Sequence, residues 1–156
     1  MTWQPGHDKI AELLQARELE RVTADRAVAQ LLLDDAGRHL DTAETARLSG
    51  DLSGAYQLAY DALRKSAASL LAEQGLRATS RGGHVALQDA VVAQFGATVR
   101  AFRSFSRIRR ARNSFEYPST SSPGPAAEDV GDAIAAASQA RDAAITIMHQ
   151  NVLSTW

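Results

Sequence analysis

Leu52 to Gln74 reads LSGAYQLAYDALRKSAASLLAEQ, and the spacing of its apolar residues sets the architecture. Leu52, Ala55, Ala59, Leu63, Ala67 and Leu70 recur at intervals of three and four, the mark of one buried helix face. Asp51 stands where its carboxylate can cap the first turn, and Gly75 is a natural stop. The same period extends in both directions. Upstream, a helix from near Thr23 runs to the SGD break at 49–51, with Ala27, Val28, Leu31, Leu32, Ala36, Leu40 and Ala43 as its apolar stripe. Before it, DKIAELLQARELERV begins a helix near Asp8 and places Ile10, Leu13, Leu14 and Leu19 close to one face.

Downstream, LRATSRGGH (76–84) is rich in turn formers and reads as a loop. A short helix, Val85 to Phe95, follows. Thr98 is placed to cap a longer one carrying Val99, Phe102, Phe105, Ile108 and Phe115, which Pro118 ends. PSTSSPGP (118–125) is a low-complexity linker, expected to be flexible. An alanine-rich helix from Ala126 to Val152 then turns Ile134, Ala137, Ala144, Ile145 and Met148 inward. Nothing alternates with period two between turn residues, so no strand is predicted. The reading is all-α: a single domain over 1–156, an antiparallel bundle of five to six helices.

Composition narrows the chemistry. A chain of 156 residues can bury roughly 70% of its extended surface, enough for one core without crosslinks. There is no cysteine, which excludes disulfides and thiolate metal sites and suits a reducing cytoplasm. No apolar run approaches the ~20 residues of a membrane span, so no membrane role is expected. No histidine has a second ligand at metal spacing, and neither a metal nor a cofactor is predicted.

Charge is the anomaly. The chain balances 17 basic against 18 acidic residues, yet six arginines fall between Arg100 and Arg112 with no acid between Asp89 and Glu116. The segment SFSRIRRARNSFEYP, Ser104 to Pro118, holds the core of this run. On a helix Arg103, Arg107 and Arg110 form one strip, with Arg109 and Arg112 on flanking faces. Crowded like charges repel, so the run requires an anion or an acidic surface opposite it. Guanidinium forks match phosphate oxygens, which points to RNA or a nucleotide. The alternatives are a face paired with the acids of the second helix, and a basic surface that docks an acidic protein. Arg81 and His84, in the RGGH loop, are further candidate phosphate contacts, His84 being otherwise a cap or loop hydrogen bond. Tyr56 and Tyr60, one turn apart, are placed to line a helix seam.

The order of features resembles the HEPN superfamily of small helical bundles. The resemblance spans about Leu31 to Ile147: a long helix pair, AYDALRKSAASLLAEQGL, a GGH loop, and a basic helix ending in RNSFEYP. It is nearest to an actinobacterial branch with an Arg-Asn-x-x-Glu-Tyr ending, here Arg112, Asn113, Glu116 and Tyr117. The resemblance implies a homodimer whose paired motifs share a cleft, in a bacterial toxin–antitoxin or defence system. Family ribonucleases cut RNA without metal, using an arginine and, four to six positions on, a histidine. In this chain the fifth position after Arg112 is Tyr117, and no histidine lies between His84 and His149. The implied function is therefore a degenerate module that binds RNA, a nucleotide or a partner protein. A ribonuclease using Arg112 with Glu116 or Tyr117, and a non-catalytic interaction bundle, are the alternatives. Tyr117 is also a candidate acceptor of a nucleotidyl group from a paired nucleotidyltransferase, and a cognate toxin or antitoxin is a further expected partner.

Overall fold

The computed structural model describes residues 2–156. The elements run α1 (His7–Gln15), β1 (Leu19–Arg21), α2 (Arg26–Ser49), α3 (Leu52–Glu73), β2 (Leu76–Ala78), α4 (Gly83–Phe95), α5 (Arg100–Arg103), α6 (Phe105–Glu116) and α7 (Ala127–Gln150). Helix α3 is the centre of the bundle. It buries Ala55, Tyr56, Ala59, Tyr60, Ala62, Leu63, Ala67 and Leu70, and packs against α2 on one side and α7 on another. α7 contributes Ala133, Ala137, Ala140 and Ala144, each at most 2% exposed. Small side chains let helix axes approach to about 8 Å, so these layers close tightly without large residues.

The ends of the long helices follow local chemistry. Asp25 accepts from the Val28 amide at 3.0 Å and starts α2, two residues later than Thr23. Asp51 accepts from the Gly54 amide at 2.9 Å and starts α3 as expected. Gly50 ends α2 at φ 89°, a left-handed conformation that glycine adopts without a Cβ clash.

Three expectations are corrected. First, two short strands exist: Leu19–Arg21 pairs antiparallel with Leu76–Ala78. Three residues are too few to show an alternating pattern, and β2 lies inside the stretch read as a loop. Leu19 is buried as expected, but from this strand, because Arg17 turns left-handed (φ 60°) after α1. Second, the helix expected from Thr98 to Phe115 divides at Ser104 into α5 and α6, giving seven helices among the described residues. Thr98 does not cap it; its hydroxyl donates back to the Phe95 carbonyl. Third, α2 presents Ala29, Leu33, Ala36 and Ala43 to the core, leaving Ala27, Val28 and Leu31 exposed. Between the buried Leu33 and Ala36, α2 turns Asp35 to Lys65 of α3 (3.0 Å), so this side of the helix carries an ion pair beside its apolar face.

Close contacts at the two ends of α4 fix its place beside α3. A Cβ on Gly82 would lie 2.2 Å from the Glu18 carbonyl, so only glycine lets the start of α4 lie against β1. At the other end of α4, Gln94 meets Gln74 of the α3 terminus; both are buried and exchange two side-chain hydrogen bonds of 2.7 and 3.0 Å. The same pole holds both tryptophans. Trp3 stacks on Phe95 with centroids 5.4 Å apart, and the Trp156 amide donates to the Gln74 carbonyl. Residues 118–125 lie outside the helices and close a small turn in which Ser119 and Ser122 exchange backbone hydrogen bonds.

Candidate functional site

The basic helix does not present all its arginines alike. Phe105 and Ile108 are buried, and Arg112 is one turn beyond Ile108 on that same inward face. Its guanidinium therefore meets α3, with Cζ 5.5 Å from the centre of the Tyr60 ring. Arg112 Nε donates to Gln57 Oε1 at 2.7 Å, and Gln57 Nε2 donates to Asp61 Oδ2 at 3.3 Å. The two Nη groups meet the Glu116 carboxylate at 3.1 and 3.0 Å, and Nη1 also donates to Asn113 Oδ1 at 3.1 Å. The fork is thus fixed on three sides before any ligand arrives.

Tyr60 is the hub. Its ring is fully buried, lies edge-on to Phe105 at 6.1 Å, and keeps its hydroxyl 2.7 Å from Nδ1 of His84. Burial pushes the Tyr60 hydroxyl above its ordinary value of 10, so it stays a phenol. His84 stands near the start of α4 and is an exposed residue; Nδ1 is the ring nitrogen that meets Tyr60, and Nε2 makes no hydrogen bond among the described residues. Burial of its inner edge lowers its affinity for protons, with Arg64, Arg112 and Arg109 adding to the effect and Asp61 opposing it. The imidazole is consequently neutral at pH 7. Arg109 joins from α6, its Nε donating to Gln88 Oε1 of α4 at 3.0 Å.

Three helices thus bring Arg64, His84, Arg109 and Arg112 around one buried phenol. Arg64 faces Asp61 at 3.7 Å, and its buried Nε has no hydrogen-bond partner among the described residues. The cluster separates two depressions. One, of about 610 Å³, is lined by Val28, Leu32, Ala68, Leu71 and Leu87, with Arg64 and His84 at its polar edge. The other, of about 410 Å³, is bounded by Tyr56, Gln57, Arg112, Phe115 and Glu116.

Among the predicted residues, Arg112, Asn113, Glu116, Arg109 and His84 come together. Arg103, Arg107 and Arg110 do not: they form an exposed strip on the outer side of α5 and α6. Among the described residues none of these three has a carboxylate within salt-bridge distance; of the α2 acids, Asp35 is engaged by Lys65 and Arg38 and Glu44 by Arg47, and neither Asp34 nor Asp41 pairs with this strip. Arg81 is exposed in the turn before α4. Tyr117 is 82% exposed, and its hydroxyl makes no hydrogen bond among the described residues. Sequence reasoning missed Tyr60, Gln57, Arg64 and Gln88 as site residues. Gln57, Asp61 and Arg64 stand at i, i+4 and i+7, a polar strip on α3 that was legible but had no visible partner. Among the described residues no group of three His, Asp or Glu side chains could hold a metal ion. No described helix is long and apolar enough to cross a membrane.

The sequence model of the HEPN domain matches residues 29–146, about three quarters of the chain. No curated protein and no solved structure matches.

Proposed function

The chain belongs to the HEPN domain family, and on that premise we propose that it is a module of a bacterial toxin–antitoxin or defence pair that binds RNA phosphates through its arginine cluster. The observation that carries this reading is the charge balance of α5 and α6. Among the described residues the six arginines have one carboxylate within salt-bridge distance, Glu116 on Arg112, and four of them, counting Arg100, lie exposed on the strip. Self-repulsion on that scale favours a polyanion over water. Arg109 and Arg112 supply fixed donors at the cleft, and the outer strip follows the backbone electrostatically. Val28 lines the apolar depression beside His84; Val28, Leu31 and Val85 are exposed (43%, 62% and 45%), and a second copy burying them would bring two clusters into one groove.

Filter binding against salt tests the reading. Retention of structured RNA should fall steeply as salt rises, and the paired change Arg107→Ala/Arg110→Ala should reduce the log–log slope by about 0.7–0.9 per arginine engaged on a phosphate. Arg112→Ala should weaken binding by about tenfold or more, since a charge-assisted pair contributes about 1.5–3 kcal/mol. Binding that ignores both salt and Arg112 would overturn the proposal.

The exposure of Tyr117 favours a second role for the same region. Its free hydroxyl is accessible to a nucleotidyltransferase partner: attack of Oη on the α-phosphorus of a nucleoside triphosphate held by that partner, with pyrophosphate leaving and the phenolic proton passing to a base of the partner, would add a nucleotidyl phosphate five residues beyond Arg112. Co-expression with such a partner, followed by peptide mass analysis, should give an adduct on Tyr117 that Tyr117→Phe abolishes; an unmodified peptide sinks this role.

A further inference from the structure

The family's ribonuclease histidine is missing from the helix that carries Arg112, but the fold brings another to the site. We propose that His84, reaching in from α4 and held through Nδ1 by the Tyr60 hydroxyl, is the proton acceptor of a metal-independent RNA cleavage at this cluster. The inference rests on the reading that an RNA phosphate sits among Arg64, Arg109 and Arg112.

Four observations support it. The His84–Tyr60 contact is 2.7 Å, and Tyr60 is fully buried, so one ring nitrogen is fixed by a group that cannot swing away. Among the described residues Nε2 has no partner on the exposed side. Tyr60 also carries Arg112 against its face, so one residue sets both the cation and the imidazole. The groups around His84 are Tyr60, Asp61 and Arg64 from α3 and Arg109 and Arg112 from α6; burial first, and then these cations against Asp61, hold the free ring neutral, and a phosphate seated among the arginines offsets their charge so that the ring can take up a proton. Glu116 and Tyr117 serve this task less well: Glu116 is engaged at both oxygens by Arg112, and the phenol of Tyr117 projects into solvent.

When Nδ1 carries the hydrogen and donates to Tyr60 Oη, the Nε2 lone pair faces outward. It takes the proton of a ribose 2′-hydroxyl as O2′ bonds to the adjacent phosphorus. The P–O5′ bond then breaks with its electron pair going to the 5′-oxygen. That oxygen takes a proton from water, and the imidazolium returns its proton to the hydroxide so formed. The products are a 2′,3′-cyclic phosphate and a 5′-hydroxyl, with no net gain or loss of protons or electrons. The guanidiniums face the charge that builds on the phosphoryl oxygens. Tyr60 is a positioning residue, accepting from Nδ1–H in both the neutral and the charged ring.

The test uses the full chain, a chelator, and an oligonucleotide with one ribose in a deoxyribose background, alongside structured RNA. Scission at the ribose leaving a cyclic phosphate is expected. His84→Gln should slow it by about 100-fold or more, far beyond any loss of filter retention. Tyr60→Phe should slow it less and move the acid limb of the pH–rate profile, which for the native chain lies below pH 6.5. RNA bound by the native chain but left intact, or cut equally fast by His84→Gln, overturns the role of His84 and leaves the binding reading standing. RNA not bound at all removes both.

Discussion

Arg112 shows how far single residues could be read. Its importance was legible, because an Arg-Asn couple closes a cationic helix, and its i+4 pairing with Glu116 follows from helix geometry alone. Its other partners were not legible. Gln57 is 55 residues away and Tyr60 lies on the same distant helix, and nothing in the local period reveals which polar strip of α3 will face α6. His84 illustrates the same limit: its hydrogen bond to Tyr60 spans 24 residues. That contact makes a testable statement about stability. Because the folded chain resists protonating His84, the unfolded chain binds more protons below the ordinary value of 6.5. Stability should be complete above about pH 7 and fall as pH drops through 6.5 toward the native value. Chemical denaturation at pH 7.5, 6.5 and 5.5 measures this, and His84→Gln should flatten the slope most between the last two points.

Among elements, the period of three and four located every long helix, because burial of a single face is written directly into the order of residues. Their ends were less legible where side chains compete. Thr98 looked like a cap, yet its hydroxyl satisfies the carbonyl behind it, and α5 starts from Val99 instead. The β1–β2 pair escaped notice because its register is set by the turns around it rather than by its own three residues. The reciprocal amide pair of Gln74 and Gln94 joins the end of α3 to α4, and thereby fixes the far end of the helix that begins near His84. Gln74→Leu alone should cost about 1–3 kcal/mol, because it strands a buried amide, while Gln74→Leu/Gln94→Leu should recover much of that loss. Urea melts of the three variants decide it; additive losses would show that the two amides act independently.

On the scale of the whole molecule, the sequence carried the bundle but not its outer faces. The rotation of α2 exposes Val28 and Leu31, residues that a pattern of apolar spacing assigns to the interior. If those faces seal two copies together, Leu31→Asp should convert a dimer to a monomer in light scattering while leaving helix content unchanged, since the side chain is already 62% exposed. A dimer that survives the change would move the seam elsewhere. The tryptophan pole has a use of its own. Tyr60 and Gln74 lie about 20 Å apart along α3, and both indoles of the chain sit at the Gln74 end. Intrinsic emission is therefore a gauge of whether the first and last segments remain clasped, and it should stay dark to anything that settles beside the phenol at the opposite end. Ligand titrations followed by that signal would read as silence even at saturation.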